Sequence, residues 1–153
     1  MSRRDLIRMT DDEVDAFLQG RHTMNVATNN HDGTIHLVAM WYGFLDGDPL
    51  FETFAKSQKV QNLRRDPRIT VLVEDGDRYD QLRGVEMVGT AEVIEDPAVV
   101  IEAAKSVLAR YENITEPADV AAAAELMAKK RVAVRVHAER VVSWDHRKLA
   151  GGY

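Results

Sequence analysis

The 153-residue sequence contains no cysteine, and this absence excludes several kinds of site. Without a thiol, the chain can form no disulfide framework, no thiolate nucleophile and no cysteine-ligated zinc or iron–sulfur centre. Its five histidines show no i, i+4 pairing of the zinc-protease type, so we expect no metal site. Glycine-rich nucleotide motifs and the G-x-S-x-G elbow are also missing, which disfavours Rossmann or P-loop nucleotide binding and serine hydrolysis.

Long apolar runs are missing as well. The stretch from Thr34 to Leu45, which lacks Asp, Glu, Lys and Arg, is too short to span a bilayer, and the N-terminal residues lack the apolar centre of a signal peptide. A net charge of −5 with 45% hydrophobic residues is typical of a globular protein, and we expect a cytoplasmic location. Because no repeat, linker or composition break divides the chain, we expect a single domain over residues 1–153.

The distribution of branched and aromatic residues predicts a fold that is mainly β with helices. Thr10 and Glu13 predict a capped helix before the strands, and a short helix is expected from Ser57 to Arg65, ended by Asp66-Pro67. Two further helices are expected between residues 97 and 130. Asp-Gly turns join antiparallel pairs, so we predict a six-stranded antiparallel barrel. Its strands are Met24 to Val26, Ile35 to Leu45, Leu50 to Phe54, Ile69 to Val73, Val85 to Val93 and Arg131 to Val142.

Positive charge is concentrated after the third predicted strand. Between Lys56 and Arg68 the sequence has five basic residues and one acidic residue, in a chain whose net charge is −5. Ser57 is placed to cap the following helix, whose first N–H groups are unpaired, and Lys59 follows as an exposed lysine of the first turn. With the Thr53 hydroxyl alongside, this segment is suited to bind a phosphate. The alternative is that Ser57 only caps the helix and the lysines are solvated.

Five motifs in consistent order and spacing resemble the split β-barrel of the pyridoxamine 5′-phosphate oxidase-like superfamily. The similarity is to its flavin/deazaflavin oxidoreductase branch of actinobacterial type, whose members often use coenzyme F420, an 8-hydroxy-5-deazaflavin. It covers nearly the whole chain except the helices between Asp96 and Lys130, since the ending from Val142 to Leu149 is also similar. The motifs are Asp32-Gly33-x-Ile-His36, Val38-Ala-Met-Trp41, Thr53 with Ser57-x-Lys59, Asn62-Leu-Arg-Arg-Asp-Pro67 and Val88-Gly-Thr-Ala-Glu92.

The resemblance implies a cofactor site at the interface of a homodimer. It assigns the cofactor phosphate to Thr53, Ser57 and Lys59, and the ribityl and tail portions to Lys56 and Asn62. The ring would lie along the strand formed by Val38, Ala39, Met40 and Trp41, mainly against backbone groups. Residues that would approach the ring from the partner chain are Tyr79, Arg83 and Trp144.

Two positions depart from the vitamin B6 oxidases of this superfamily. Gln58 stands where those enzymes carry arginine, and Gly84 stands where they carry glutamine beside the flavin, which disfavours oxidation of vitamin B6. Within the cofactor strand, alternation places Trp41 and Tyr42 on opposite faces, so that one packs inside and the other faces a ligand or a second subunit. The sequence does not decide between them.

The resemblance implies an oxidoreductase that uses reduced coenzyme F420 to transfer a hydride to a small unsaturated or conjugated acceptor. Arg64, Arg65 and Arg68 would suit the polyanionic tail of this coenzyme. The cofactor would carry the reaction, so no catalytic side chain is identified. The alternatives are an FMN-dependent enzyme of the same fold and a non-catalytic protein that binds flavin, deazaflavin or haem. Nucleic-acid binding through the arginines is disfavoured by the net negative charge.

Overall fold

The structure, a computed structural model, describes residues 2–20 and 22–149, which form one antiparallel sheet with helices around it. The strands are β1 (Met24–Asn29), β2 (Ile35–Met40), β3 (Gly43–Leu45), β4 (Asp48–Phe54), β5 (Arg68–Asp75), β6 (Arg83–Ile94) and β7 (Arg131–Asp145). The helices are α1 (Arg3–Ile7), α2 (Asp11–Leu18), α3 (Gln58–Arg65), α4 (Pro97–Tyr111) and α5 (Pro117–Ala128), with short 3₁₀ helices at Tyr79–Gln81 and His146–Leu149. The prediction of a mainly β fold with helices is confirmed.

The strand order across the sheet is β2-β1-β5-β6-β7-β4-β3, and every neighbouring pair is antiparallel. Strands β2 and β3 lie at opposite edges although only Trp41 and Tyr42 connect them. The three Cα-to-Cα steps from Met40 to Gly43 span at most about 11 Å, so the sheet must curl until its two edges come close together. The result is a curled sheet that remains open between its edge strands β2 and β3, as a split barrel requires.

The predicted number of strands, six, is wrong, because the run from Ile35 to Leu45 breaks into β2 and β3. At the break, the backbone of Tyr42 bonds to side chains of α4 instead of to a neighbouring strand. Arg110 Nε donates to the Tyr42 carbonyl at 2.9 Å, and the Tyr42 N–H points to the hydroxyl of Tyr111 at 3.5 Å. The Tyr42 hydroxyl donates to the carbonyl of Leu18 at 2.6 Å, which anchors the turn inside the molecule.

Strand β4 is buried on both faces, and this determines where the candidate site lies. Its inward face, which includes Phe51, packs in the main core with side chains such as Val60 and Val134. Its outward face is covered by α4, where Leu50 packs with Val100 and with other buried side chains. Residues that alternate along β4 therefore face two separate environments.

Among the helices formed by residues 2–20 and 22–149, none is both long and apolar enough to cross a membrane.

Candidate functional site

The structure brings together the three residues to which the sequence assigns a phosphate. Lys59 Nζ donates to the hydroxyl of Thr53 at 3.0 Å, and the Thr53 hydroxyl lies 3.4 Å from that of Ser57. Thr53 comes from the end of β4, and Ser57 and Lys59 come from the start of α3. The close turn between these elements places two hydroxyls and one ammonium group at the N-terminus of a helix. We call these three residues the anion cluster.

Lys59 is buried, so the expectation of an exposed lysine is wrong. Its side chain lies between α3 and the barrel, and only 8% of the residue is exposed. Burial lowers the pKa of its ammonium group, and no carboxylate of the described residues lies within ion-pair distance to offset this effect. A buried charge without a partner is unfavourable, so this position is suited to an anion that would pair with it.

Ser57 occupies the N-cap position of α3, but its hydroxyl does not cap the helix. The residue has the extended backbone of an N-cap, and its side chain bonds to no N–H group of α3. Thr10 provides the contrast, because in α2 its hydroxyl accepts from the N–H of Glu13 at 3.2 Å within a complete capping box. The first N–H groups of α3 and the Ser57 hydroxyl therefore remain available to a ligand.

Asn62 and Lys56, assigned to the ribityl and tail portions, lie in different surroundings. Asn62 is fully buried, and its amide donates to Thr28 at 3.0 Å and to Asn30 at 2.9 Å while accepting from Gln58 at 2.9 Å. These bonds tie α3 to β1 and to the turn after it, which is a structural role. Lys56 is exposed in the turn before α3, beside the anion cluster.

A cleft of about 280 Å³ lies between the end of β2 and β4, at the opening of the barrel. Three of the four residues assigned to the ring, Ala39, Met40 and Trp41, form one wall. Because β2 is an edge strand, one side of its backbone pairs with no strand among the described residues, which leaves backbone groups available there. The remaining lining residues are Glu52, Val107, Met127 and Arg131.

The structure settles which aromatic residue faces the cleft. Tyr42 is completely buried, whereas 48% of Trp41 is exposed and its indole stacks on the ring of Tyr111 at a centroid distance of 4.9 Å. Val38, the fourth residue assigned to the ring, is half-buried, packs against the core and does not line the cleft. Trp41 is thus the ring that a ligand in the cleft would meet.

Glu52 is the residue of this cleft that sequence reasoning missed. Its side chain is 1% exposed, and neither carboxylate oxygen has a hydrogen-bond partner among the described residues. Burial raises the pKa of Glu52 to about 7, although Arg131 Nε lies 3.4 Å from Oε1 and favours the charged form. The alternation of β4 alone could not reveal this, because the burial of Glu52 depends on α4 and α5 covering the outer face.

The residues assigned to a partner chain belong to the first 3₁₀ helix, to β6 and to β7. Tyr79 sits in a 3₁₀ helix with its ring 4.5 Å from that of His146, and Arg83 pairs with Asp75 at 2.5 Å. Trp144, near the end of β7, packs over Gly84, where a Cβ atom would lie 2.2 Å from the indole. None of the three assigned residues lines the cleft of the same chain. The indole also explains why glutamine is not accommodated at position 84.

The three arginines assigned to a polyanionic tail are largely engaged within the chain. Arg64 pairs with Glu95, and Arg68 pairs with Asp66 at 2.7 Å. Arg65 donates to the backbone carbonyl of Asn29 and keeps no carboxylate partner among the described residues. Much of the positive charge in this segment is therefore neutralised locally.

Comparisons with known proteins agree with this architecture. A sequence profile described as pyridoxamine 5′-phosphate oxidase matches residues 10–145. Among solved structures, a conserved hypothetical protein from Mycobacterium tuberculosis, Rv2991, is 44% identical, with a TM-score of 0.92 over 100% of this chain and 95% of that one. An F420 reductase is 28% identical, with a TM-score of 0.60 over 83% of this chain and 94% of that one.

A more distant similarity concerns the fold alone. The haem storage protein HutZ from Vibrio cholerae is 14% identical, with a TM-score of 0.66 over 87% of this chain and 94% of that one. No curated protein matches the sequence.

Proposed function

Because the chain belongs to the pyridoxamine 5′-phosphate oxidase family, we propose that it is an oxidoreductase that uses reduced coenzyme F420 to transfer a hydride to a small unsaturated or conjugated acceptor. The resemblance carried by the five sequence motifs is confirmed by the family match. The family includes oxidoreductases and typically binds flavin. The similarity to an F420 reductase supports a deazaflavin as the cofactor.

The observation that carries this proposal is the buried ammonium group of Lys59. Among the described residues the group has no carboxylate partner. It contacts the Thr53 hydroxyl at 3.0 Å and lies at a helix N-terminus whose cap residue, Ser57, makes no hydrogen bond to the helix with its hydroxyl. A phosphate would pair with the ammonium group and accept bonds from the hydroxyls and the helix N–H groups. These residues fit the phosphate that flavin-type cofactors carry.

Within this proposal, the two faces of β4 hold two parts of one cofactor. Thr53 contributes to the anion cluster, and the cleft beside Ala39, Met40 and Trp41 receives the ring. Beyond Leu50, the described residues give β4 no strand partner on the side away from β7. In this proposal the cofactor crosses from one face of β4 to the other at that unpaired edge. When bound, the cofactor supplies hydride transfer, while the protein orients the ring and excludes water.

Isothermal titration with reduced F420 and with FMN tests the choice of cofactor. We expect the deazaflavin to bind more tightly than FMN. Micromolar or better binding of FMN with no detectable binding of the deazaflavin would instead establish the FMN-dependent alternative. Turnover with a conjugated acceptor then separates an enzyme from a binding protein, and a visible spectrum with haem tests the haem-binding alternative.

We also propose that the protein acts as a homodimer. The outer face of the sheet carries a largely apolar band, in which Leu37, Ala27, Thr70 and Val88 are consecutive cross-strand partners from β2 to β6 and only Thr70 has a polar group. We call it the apolar band. Leu37 is 68% exposed in the single chain. An uncovered band of this kind on a sheet fits a second copy of the same surface, related by two-fold symmetry.

In this arrangement, Tyr79, Arg83 and Trp144 would complete the cofactor site of the other subunit. Their position away from the cleft of their own chain is compatible with that role.

A further inference from the structure

Glu52 is unusual because its buried carboxyl group lowers the stability of the folded chain. A carboxyl group that is 1% exposed and has no hydrogen bond among the described residues loses its hydration, and only its charge interaction with one arginine offsets that loss. The nearest cation is Arg131, whose guanidinium is 3.4 Å from Oε1 and also lies over the ring of Phe54 at 4.4 Å. Both carboxyl oxygens therefore lack a hydrogen bond among the described residues and could form one with a ligand.

The surroundings of Glu52 define what that partner would be. The cleft measures about 280 Å³, and its other lining side chains are apolar apart from Arg131. Trp41 supplies a flat indole wall that is held in place by its stacking on Tyr111. A small cleft with a flat wall and one pair of polar groups is suited to a planar molecule with a polar edge.

We propose that this cleft binds a planar heterocycle through a cyclic amide or imide edge, with the carboxyl group of Glu52 as the residue that recognises it. A protonated carboxyl group donates one hydrogen bond and accepts another, and an amide edge offers the matching acceptor and donor side by side. Both oxygens of Glu52 would then be satisfied.

Burial of Glu52 favours the protonated form in the complex, although the nearby charge of Arg131 opposes it. Burial brings the pKa of Glu52 to about 7, so that the neutral form is accessible near neutral pH. Arg131 on β7 is the other charged side chain that lines the cleft, whereas β2, α4 and α5 contribute Met40, Val107 and Met127. A neutral ligand that pairs with the protonated form must bind less well as pH rises above 7.

This inference rests on the proposed function in one respect, because the ring of a flavin or deazaflavin has an imide edge of this kind. The acceptor is the other possible source of such an edge. Lumiflavin, a flavin ring without the ribityl phosphate, is the probe for the cleft, because it cannot use the anion cluster. The matched control ligand is 3-methyllumiflavin, in which a methyl group replaces the imide hydrogen.

The experiment measures lumiflavin binding by fluorescence between pH 6 and pH 8.5 for the wild type, Glu52→Gln and Glu52→Leu. We expect wild-type affinity to fall by up to about tenfold for each pH unit above 7. Glu52→Gln retains one donor and one acceptor, so its affinity should stay nearly constant with pH. Glu52→Leu and the methylated ligand should each bind at least about tenfold more weakly at pH 6.

Several results would overturn the proposal: no lumiflavin binding, equal binding of the methylated ligand, unchanged affinity in Glu52→Leu, or binding that strengthens above pH 7. FMN and reduced F420 are titrated into the same proteins. If both fail to bind while lumiflavin binds as expected, the proposed cofactor function fails and the inference about Glu52 stands.

Competition between lumiflavin and the cofactors shows whether the cofactor or the acceptor supplies the amide or imide edge that Glu52 binds. Displacement of lumiflavin by FMN or F420 assigns it to the cofactor, and binding of lumiflavin to the loaded protein assigns it to the acceptor. A third result is that a cofactor binds with an affinity that does not depend on Glu52 and leaves lumiflavin binding unaffected. In that case the cofactor does not supply the amide or imide edge that Glu52 binds.

Discussion

At the scale of single residues, the candidate site depends on two buried ionisable groups that face different sides of one strand. The ammonium group of Lys59 has a hydroxyl partner but no carboxylate partner, and the carboxyl group of Glu52 has no hydrogen bond among the described residues. Each lowers the stability of the folded chain in its charged form. Such groups are expected at ligand-binding sites, because a bound ligand can supply the ion pair or hydrogen bond that the folded chain does not provide.

Replacement of Lys59 by methionine tests the ammonium group. Lys59→Met keeps an unbranched apolar side chain in the same space, and we expect cofactor affinity to fall roughly tenfold to a hundredfold through loss of a charge-assisted hydrogen bond. The control Lys56→Ala removes an exposed charge from the turn before α3, so its loss of affinity should be much smaller.

The melting temperature of ligand-free Lys59→Met should hold or rise, since the unpaired buried charge is gone. Calorimetry and thermal unfolding measure the two effects. Equal affinities of the wild type and Lys59→Met would place the phosphate elsewhere.

The carboxyl group of Glu52 leads to a prediction about pH and stability. Its pKa is raised from 4.5 in the unfolded chain to about 7 in the folded one, so the folded state holds the proton more tightly. The contribution of Glu52 to stability is therefore most unfavourable above pH 7 and disappears as pH falls to about 4.5. We expect Glu52→Gln to be more stable than the wild type by up to about 3 kcal/mol at pH 8, with a much smaller difference at pH 5.

Urea unfolding of both proteins at the two pH values measures this difference. If the difference in the free energy of unfolding is the same at pH 5 and pH 8, the pKa of Glu52 is not raised in the folded state.

At the scale of secondary-structure elements, the start of α3 differs from the start of α2. The Thr10 hydroxyl caps α2, whereas the Ser57 hydroxyl makes no bond to α3. We expect Ser57→Ala to weaken cofactor binding severalfold with little change in stability. Thr10→Ala should lower the free energy of unfolding by about 1 kcal/mol with little change in affinity. If Ser57→Ala loses as much stability as Thr10→Ala, Ser57 stabilises α3 as an ordinary N-cap and the contrast between the two helices is wrong.

The elements that the sequence predicted well are those determined by nearby residues. The capping box of α2 and the end of α3 before Pro67 depend on side chains within a few positions, and both appear in the structure. The break at Tyr42 depends on Arg110, which lies far away in sequence and satisfies the Tyr42 carbonyl. Continuous β propensity from Ile35 to Leu45 carries no sign of that contact.

The candidate site divides in the same way. Thr53, Ser57 and Lys59 lie within the short connection from β4 to α3, so their spacing alone indicated that their side chains would be close together. The burial of Glu52 depends on α4 and α5, which cover its face of β4. These helices lie outside the motifs that carried the resemblance. Burial of Lys59 was missed for a related reason, since it depends on how α3 packs against the barrel.

At the scale of the whole molecule, the apolar band on the outer sheet face leads to a prediction about assembly. Leu37 lies in the middle of β2, is 68% exposed and pairs across the strands with Ala27. A carboxylate placed there would be desolvated in a dimer interface, so we expect Leu37→Glu to be monomeric at micromolar concentration while the wild type is a dimer. Leu126→Glu is a matched control, since Leu126 on α5 is equally exposed, at 67%, but lies away from the band.

Sedimentation velocity distinguishes these variants, and cofactor titration shows whether assembly and binding are linked. If Tyr79, Arg83 or Trp144 of a second subunit completes the site, the monomeric Leu37→Glu variant should bind cofactor more weakly although its own anion cluster is intact. Its affinity should then recover at protein concentrations high enough to restore the dimer, because association and binding are thermodynamically coupled. A monomeric wild type would contradict the shared site, and a monomeric variant with full affinity would show that each chain holds its cofactor alone.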